Sequence, residues 1–383
     1  MKQQLPQPSD EAKVASRQLV ALIQEEIRQN DGRIPFSRFM EMALYTPALG
    51  YYSGGSSKIG AEGDFVTAPT LTPLFACTLA VQLAELLPQS AGNIYEFGAG
   101  TGELASGLLN SLSDGFNRYF IIEISPELAE RQRHYIQANV PSEMSAKVEW
   151  LTALPERFDG IIIGNEVLDA MPCEIIKREH NRFWQLYVGM ENNQFTALPY
   201  PLEHPDLLET AAEYFPDTSP YTSELHPAQH AFVRTLAQRL ERGAMLFIDY
   251  GFDAAQYYHP QRSEGTFIGH YRHHTVHDPF FHVGLTDLTA HVNFTDIAVA
   301  ATEAGLDLIG YTAQAHFLLN LGITSLLETV APADHPAYIK EAAAVQKLLA
   351  PHEMGELFKV IAFGRSIDTD WQGFAYGDIC HKL

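Results

Sequence analysis

The pattern of apolar and polar positions changes period repeatedly along the chain. Residues 11–29 put Ala15, Leu19, Leu22, Ile23 and Ile27 on one helical stripe with Gln, Glu and Arg opposite, which predicts an amphipathic packing helix. Asn30-Asp31-Gly32 stops it, and Phe39, Met42, Ala43 and Leu44 predict a second short helix with Ser37 as its N-cap. A third helix is expected over roughly Pro73 to Leu87. Strands and helices then alternate. Ile94–Phe97 reads as a strand, Leu104–Leu112 as a helix, and Tyr119–Ile122 as the next strand. Ser125 caps a helix from Pro126 to about Asn139, and Lys147–Leu151 and Phe158–Gly164 follow as strands. Phe158–Gly164 is a nearly unbroken apolar run, the kind a parallel sheet buries on both faces. This order predicts an α/β fold with an open sheet and a ligand at the carboxyl ends of its strands.

After Cys173 the period shortens. Glu174–Lys177, Phe183–Val188 and Gln194–Leu198 read as an antiparallel insertion, and the proline- and acid-rich residues 200–226 as a long connection. A helix over about Pro227–Glu241 feeds a fifth core strand, Gly243–Gly251, with the acidic tip Asp249. Helix 294–304, strand Leu306–Tyr311, helical segments between His316 and Leu349, and a last strand Leu357–Phe363 complete the sheet. The expected organisation is an N-terminal helical or cap region over 1–90 and a main domain over 91–383, with insertions at about 173–226 and 314–350.

Candidate chemistry concentrates where the first core strand ends. Glu96-Phe97-Gly98-Ala99-Gly100-Thr101-Gly102-Glu103 passes directly into a helix, and glycines at such a turn let a ligand approach the main chain closely. The second strand ends in Glu123-Ile124, where a carboxylate can take a ribose diol. Dinucleotide sites space their glycines G-x-G-x-x-G and offer a helix N-terminus to a diphosphate. The spacing here is G-x-G-x-G with Glu96 and Glu103 beside it, which repels a diphosphate but suits a ligand carrying an ammonium and a sulfonium. S-adenosylmethionine is therefore the expected cofactor. It would be held by Glu96, Gly98, Gly100, Thr101, Gly102, Glu123, Ile124 and Asn165. Two alternatives stay open on these residues: a docking protein that binds the cofactor without turnover, and a nucleotide-dependent oxidoreductase.

The fourth strand empties into Asn165-Glu166-Val167-Leu168-Asp169-Ala170-Met171-Pro172. In a doubly wound sheet that tip lies beside the glycine loop, so Glu166 and Asp169 are candidates for the reacting end. Asp64, in the Gly60–Pro69 loop, and Asp287 extend the acidic set. Residues 265–294 hold six histidines, but no H-x-x-x-H helix and no cysteine accompany them, so a polar substrate-facing loop is expected and no metal.

Composition narrows the classes. A chain of 383 residues that is 46% hydrophobic can bury a substantial core. A formal charge of −22 disfavours nucleic acid, which is gripped by Lys and Arg clusters. The three scattered cysteines suit a reducing compartment, and no run reaches membrane-spanning length. The N-terminus lacks an apolar signal core and is not Arg-rich, so the expected location is the cytoplasm.

These segments together resemble the MidA-like S-adenosylmethionine-dependent methyltransferases, relatives of the mitochondrial methyltransferase that assists complex I assembly. The resemblance rests on Ala43-Leu44-Tyr45 through Gly50-Tyr51-Tyr52, Gly63–Pro69, Glu96–Leu104, Asn165–Pro172, Asp249-Tyr250-Gly251, His277-Asp278-Pro279, Asp287–Val292 and Phe358-Lys359-Val360. It implies a Rossmann-like class I methyltransferase sheet of seven strands, the last antiparallel, with an N-terminal helical portion and inserted strands and helices. It further implies methyl transfer to a protein arginine, with a respiratory-complex subunit as partner; a homodimer is the expected assembly. Where the family carries Ser-Pro-Glu after the Gly-Asp-Phe loop, this chain has Ala68-Pro69-Thr70, so that carboxylate's role does not transfer.

Overall fold

The computed structural model describes residues 5–54 and 67–383. Two compact units are distinguished: one from the described parts of Met1–Phe65, Asp169–His230 and Ala254–Asn293, the other from Val66–Leu168, Ala231–Asp253 and Phe294–Leu383. The expected insertion at 173–226 falls inside the first unit, and the helix Pro73–Leu86, from the expected cap region, inside the second.

The second unit is built on a mixed sheet. Its main path runs Asp307–Ala313, Phe358–Arg365, Leu240–Phe252, Phe158–Asn165, Asn93–Phe97, Arg118–Ile122 and Val148–Leu151. Neighbours from Leu240–Phe252 to Val148–Leu151 pair in parallel, whereas Phe358–Arg365 runs antiparallel to both its partners. This is the expected seven-strand class I methyltransferase sheet with its last strand reversed. Asn93–Phe97 sits between the strand that follows it and one that comes much later in the chain. That is a topological switch point, where open α/β sheets leave a crevice for ligand.

The apolar run Ile161-Ile162-Ile163 is fully buried, as a central parallel strand requires. Helices cover it: Leu79 and Leu83 of Pro73–Leu86 and Leu104, Leu108 and Leu109 of Glu103–Leu112 join its core cluster. Local chemistry starts these helices where the sequence predicts. Thr72 accepts from the Leu74 N–H ahead of Pro73, and Ser125 accepts from the Leu128 N–H ahead of Pro126.

The first unit holds an antiparallel sheet ordered Arg33–Pro35, Arg182–Glu191, Glu174–Glu179 and Tyr221–Leu225, with Gln194–Pro201 also paired to Arg182–Glu191. The two-residue turn Asn192-Asn193 has φ of 48° and 64°, the left-handed pair that matches the twist of a tight hairpin. Leu19, Ile23 and Ile27 of the helix Asp10–Gln29 pack with Phe39, Ala43, Val188 and Leu288.

Three expectations change. The second helix begins at Phe36, with Pro35 in the cap position; Ser37 lies in its first turn and its hydroxyl donates to Glu174 instead. Residues 200–226 contain the helix Pro205–Tyr214 and the strand Tyr221–Leu225, because Pro205 opens a helix that the composition alone reads as a breaker. The histidine-bearing stretch folds into short strands Ile268–Tyr271, His274–Val276 and Asp287–Thr289. Among the described residues no helix is long and apolar enough to cross a membrane.

Candidate active site

In the second unit the strand Asn93–Phe97 ends in a loop where Gly98, Gly100 and Gly102 have φ of 67°, 54° and 97°. A Cβ on Gly98 would lie 2.6 Å from Cγ2 of Val167, so the loop and the tip of the neighbouring strand leave no room for a side chain there. Gly102 is the N-cap of Glu103–Leu112.

Three carboxylates surround the loop. Glu96 is 1% exposed and accepts a 2.8 Å hydrogen bond from the Tyr119 hydroxyl; no cation pairs with it among the described residues. Burial pushes its carboxyl up to about 8, the Tyr119 bond opposes this, and the charge of Glu103 adds to it. Glu103 is raised chiefly by burial and accepts from the Thr101 hydroxyl. Glu123 is raised by burial against bonds from the Ser125 N–H at 2.8 Å and Gln132 Nε2 at 3.1 Å. Ile124, next to it, is 67% exposed, an apolar surface on which a flat ring could lie. Three carboxylates, with only the charge of Arg131 acting on Glu103, make a cradle that fits an ammonium and a sulfonium better than a diphosphate.

Gln132, which sequence reasoning missed, ties the cradle together. It is fully buried; its Nε2 donates to the Gly100 carbonyl at 3.0 Å as well as to Glu123, and its Oε1 accepts from Trp150 Nε1 at 2.9 Å. The glycine loop and the acid after the second strand are thereby set at a fixed spacing. Only its position on a helix after Glu123 was legible, and a helical glutamine carries no further signal.

At the tip of Phe158–Asn165, Asn165 Nδ2 donates to Glu166 Oε1 at 3.0 Å, while Asn165 Oδ1 is buried without a partner among the described residues. A buried acceptor left open beside the glycine loop's strand fits an absent donor such as the cofactor's ammonium or a hydroxyl. Glu166 has φ of 54°, left-handed geometry that a non-glycine residue adopts at a cost. It is held there by its own N–H on the Ile248 carbonyl, at 2.9 Å, and by Asp249. The Oδ2 of Asp249 accepts from the N–H groups of Val167 and Leu168, at 3.1 and 2.9 Å. Asp249 was visible as an acidic strand tip, but its use as the clamp on this turn was not.

In the first unit Asp169 and Asp287 are 5% and 7% exposed. Tyr52 donates to Asp287 Oδ1 at 2.8 Å and stacks on Tyr45, whose hydroxyl donates to the Ala170 carbonyl at 2.9 Å. Burial, then the charges of Asp287 and Asp169, push the Tyr52 phenol well above its ordinary value, so Tyr52 stays a donor. The aromatic loop that reads as a plain connection therefore carries side chains that set an acid. Asp64 and the Gly60–Val66 part of its loop lie outside the described residues.

The titration of Glu96 has a measurable sign. The native state keeps a proton that the unfolded chain releases near 4.5, so stability falls as pH rises from about 4.5 to about 8. The thermal midpoint of the ligand-free protein is expected to drop over that window, and Glu96→Gln to flatten the drop; parallel profiles would reject the assignment. Placing a cation beside Glu96 favours its charged form, so binding S-adenosylhomocysteine near pH 7 is expected to release a proton, read as a buffer-dependent heat in calorimetry.

Comparison with known proteins gives this geometry a family. The profile described as "Putative S-adenosyl-L-methionine-dependent methyltransferase" matches residues 75–312, and the chain belongs to that family. A Burkholderia thailandensis COG1565 superfamily structure bound to S-adenosyl-homocysteine is 46% identical, covers 99% of this chain and 100% of its own, and superimposes with a TM-score of 0.95. Among curated relatives, the protein arginine methyltransferase NDUFAF7, mitochondrial, of Danio rerio is 27% identical, covering 86% of this chain and 82% of the relative. Its Caenorhabditis elegans homologue is 26% identical, covering 84% and 80%.

The chain is thus an S-adenosyl-L-methionine-dependent methyltransferase of the MidA-like family, and the oxidoreductase and non-catalytic alternatives fall. The cytoplasmic expectation is corrected: the curated relatives are named as mitochondrial proteins. Scattered cysteines report a reducing environment without saying which compartment supplies it.

Proposed function

We propose that this methyltransferase acts on the guanidinium of a protein arginine, as the curated relatives' names say of those proteins. The observation that carries the reading is Glu166, locked in a left-handed conformation at the tip of the strand next to the glycine loop, with one carboxylate oxygen bonded to Asn165. The bound cofactor supplies an electrophilic methyl on a sulfonium. Glu96, Gly98, Gly100, Thr101 and Gly102 hold its amino-acid end, Glu123 its ribose, Ile124 its base and Asn165 its methionine side.

A guanidinium stays protonated near neutrality, so one nitrogen must be aimed while the charge is held on the others. Bidentate pairing with a carboxylate does this. To Glu166, Asp169, Asp64 and Asp287 we assign the acceptor's binding and the removal of the proton that the nitrogen would lose as its bond to the methyl carbon forms, the S–CH3 bond breaks and S-adenosylhomocysteine leaves. Tyr52 keeps the Asp287 carboxylate in one orientation. A respiratory-complex subunit as acceptor, a homodimer as assembly, and the limits 1–90 and 91–383 with insertions at about 173–226 and 314–350 belong to the same proposal.

Incubating the protein with labelled S-adenosylmethionine and lysate, followed by mass spectrometry of the labelled protein, tests it. Methylarginine is expected; label only on lysine, on a hydroxyl or on small molecules would contradict it. Glu166→Gln is expected to lose methyl transfer by about 100-fold or more with S-adenosylhomocysteine affinity little changed. Unchanged transfer would remove Glu166 from the role.

A further inference from the structure

The antiparallel sheet of the first unit carries a polar face that includes none of the residues assigned to cofactor or acceptor. Pro35 pairs with Tyr187, Gln185 with Tyr200, and Ile176 with Gln185. Side chains alternate along a strand, so Arg33, Glu174, Gln185, Tyr187 and Tyr200 all project from one side. A pocket of about 590 Å³ opens there, a size suited to a small molecule, with His204 and Leu207 among its walls.

Two opposite charges line this pocket without meeting. The Arg33 guanidinium lies over the Tyr200 ring, 3.8 Å from its centroid, and 5.4 Å from that of Tyr187. Stacking uses its face and leaves its planar N–H edge open, and among the described residues no carboxylate pairs with it. Glu174, 7% exposed, is held by neutral donors: the Ser37 hydroxyl on Oε1 and Gln185 Nε2 on Oε2 at 3.0 Å. Gln185 is fixed in turn by the Tyr187 hydroxyl on its Oε1, at 3.2 Å. The Ser37 N–H and the charge of His204 also favour the ionised form of Glu174; three donors leave a carboxylate room for a further one, and no Lys or Arg of the described residues forms an ion pair with it. A nearly buried carboxylate hydrogen-bonded by neutral donors, with only the charge of His204 acting on it, beside a guanidinium that stacks on Tyr200, fits a molecule that brings both an ammonium and a carboxylate.

We propose that this pocket binds a small zwitterion of the α-amino-acid type, its carboxylate on the edge of Arg33 and its ammonium on Glu174. Glu203, at the rim, adds attraction for the ammonium end. The ligand's side chain lies along Tyr187 and Leu207. The site is separate in its residues from those assigned to cofactor and acceptor, so it stands or falls independently of them.

The test uses the full chain and the twenty protein amino acids, each added singly at millimolar concentration, with thermal shift followed by calorimetry on any that bind. At least one is expected to raise the midpoint, while its amide and its N-acetyl derivative, each lacking one charge, do not. Arg33→Met and Glu174→Gln are each expected to weaken that binding by about tenfold or more, and Arg33→Lys to recover part of it. S-adenosylhomocysteine affinity, unchanged in these variants, shows that they are folded. The proposal is overturned if no amino acid binds the wild-type chain, or if one binds Arg33→Met and Glu174→Gln as tightly as wild type.

Discussion

Gly100→Val is expected to raise the dissociation constant for S-adenosylhomocysteine by more than about 100-fold while the chain remains folded. Gly100 has φ of 54°, a conformation that costs a β-branched residue on the order of 1–3 kcal/mol. The turn cannot simply relax, because Gln132 Nε2 holds the Gly100 carbonyl at 3.0 Å and the same amide group holds Glu123. Any shift of the loop that accommodates valine therefore pulls on the residue assigned to the ribose. The new side chain would also stand where the cofactor is proposed to approach the main chain. Calorimetry with the purified variant, its fold checked by circular dichroism, decides this: normal affinity would detach the glycine loop from cofactor binding.

Asp249→Ala is expected to cost about 3 kcal/mol of stability and to reduce methyl transfer far more than cofactor affinity. Asp249 is 1% exposed and its Oδ2 serves two backbone N–H groups, Val167 and Leu168, while Oδ1 accepts from Tyr250 N–H. Alanine leaves those donors buried without their acceptor, and each orphaned group costs about 1–3 kcal/mol. The turn they hold carries Glu166 in its left-handed conformation, so the carboxylate loses its position although its identity is intact. The diagnostic pattern in kinetics is a fall in kcat with KM for the cofactor nearly unchanged, alongside a lowered chemical-denaturation midpoint. A stable variant with wild-type kcat would show that the clamp is dispensable.

Much of this architecture was legible in the chain because it is carried by local periodicity. The run Ile161-Ile162-Ile163, the helix over Pro126–Asn139 and the glycine turn after Phe97 announce themselves through apolar period, capping residues and backbone need. The reversed last strand was expected only through the family resemblance, since an apolar stretch such as Val360–Phe363 carries no sign of direction. What stayed hidden depends on partners far apart in sequence. Asp249 meets the N–H groups of Val167 and Leu168 about eighty positions earlier, and Gln132 joins Gly100 to Trp150. Ser37 looks like an N-cap because serine favours that place, yet tertiary contact with Glu174 decided its use and Pro35 took the cap position. The residues 200–226 were misread for the opposite reason: proline marks a break inside a helix but a beginning at its first turn, and Pro205 is of the second kind.

The proposed cofactor site lies where the strand Asn93–Phe97 gives way to the helix Glu103–Leu112, with Glu123 on the ribose. A crystal structure of this chain with S-adenosylhomocysteine tests it most directly. The ligand's ribose hydroxyls are expected within hydrogen-bond distance of the Glu123 carboxylate, and its amino-acid end against the Gly98–Gly102 backbone, near Glu96. Ligand bound elsewhere on the chain, with this loop in contact only with protein side chains, would contradict it.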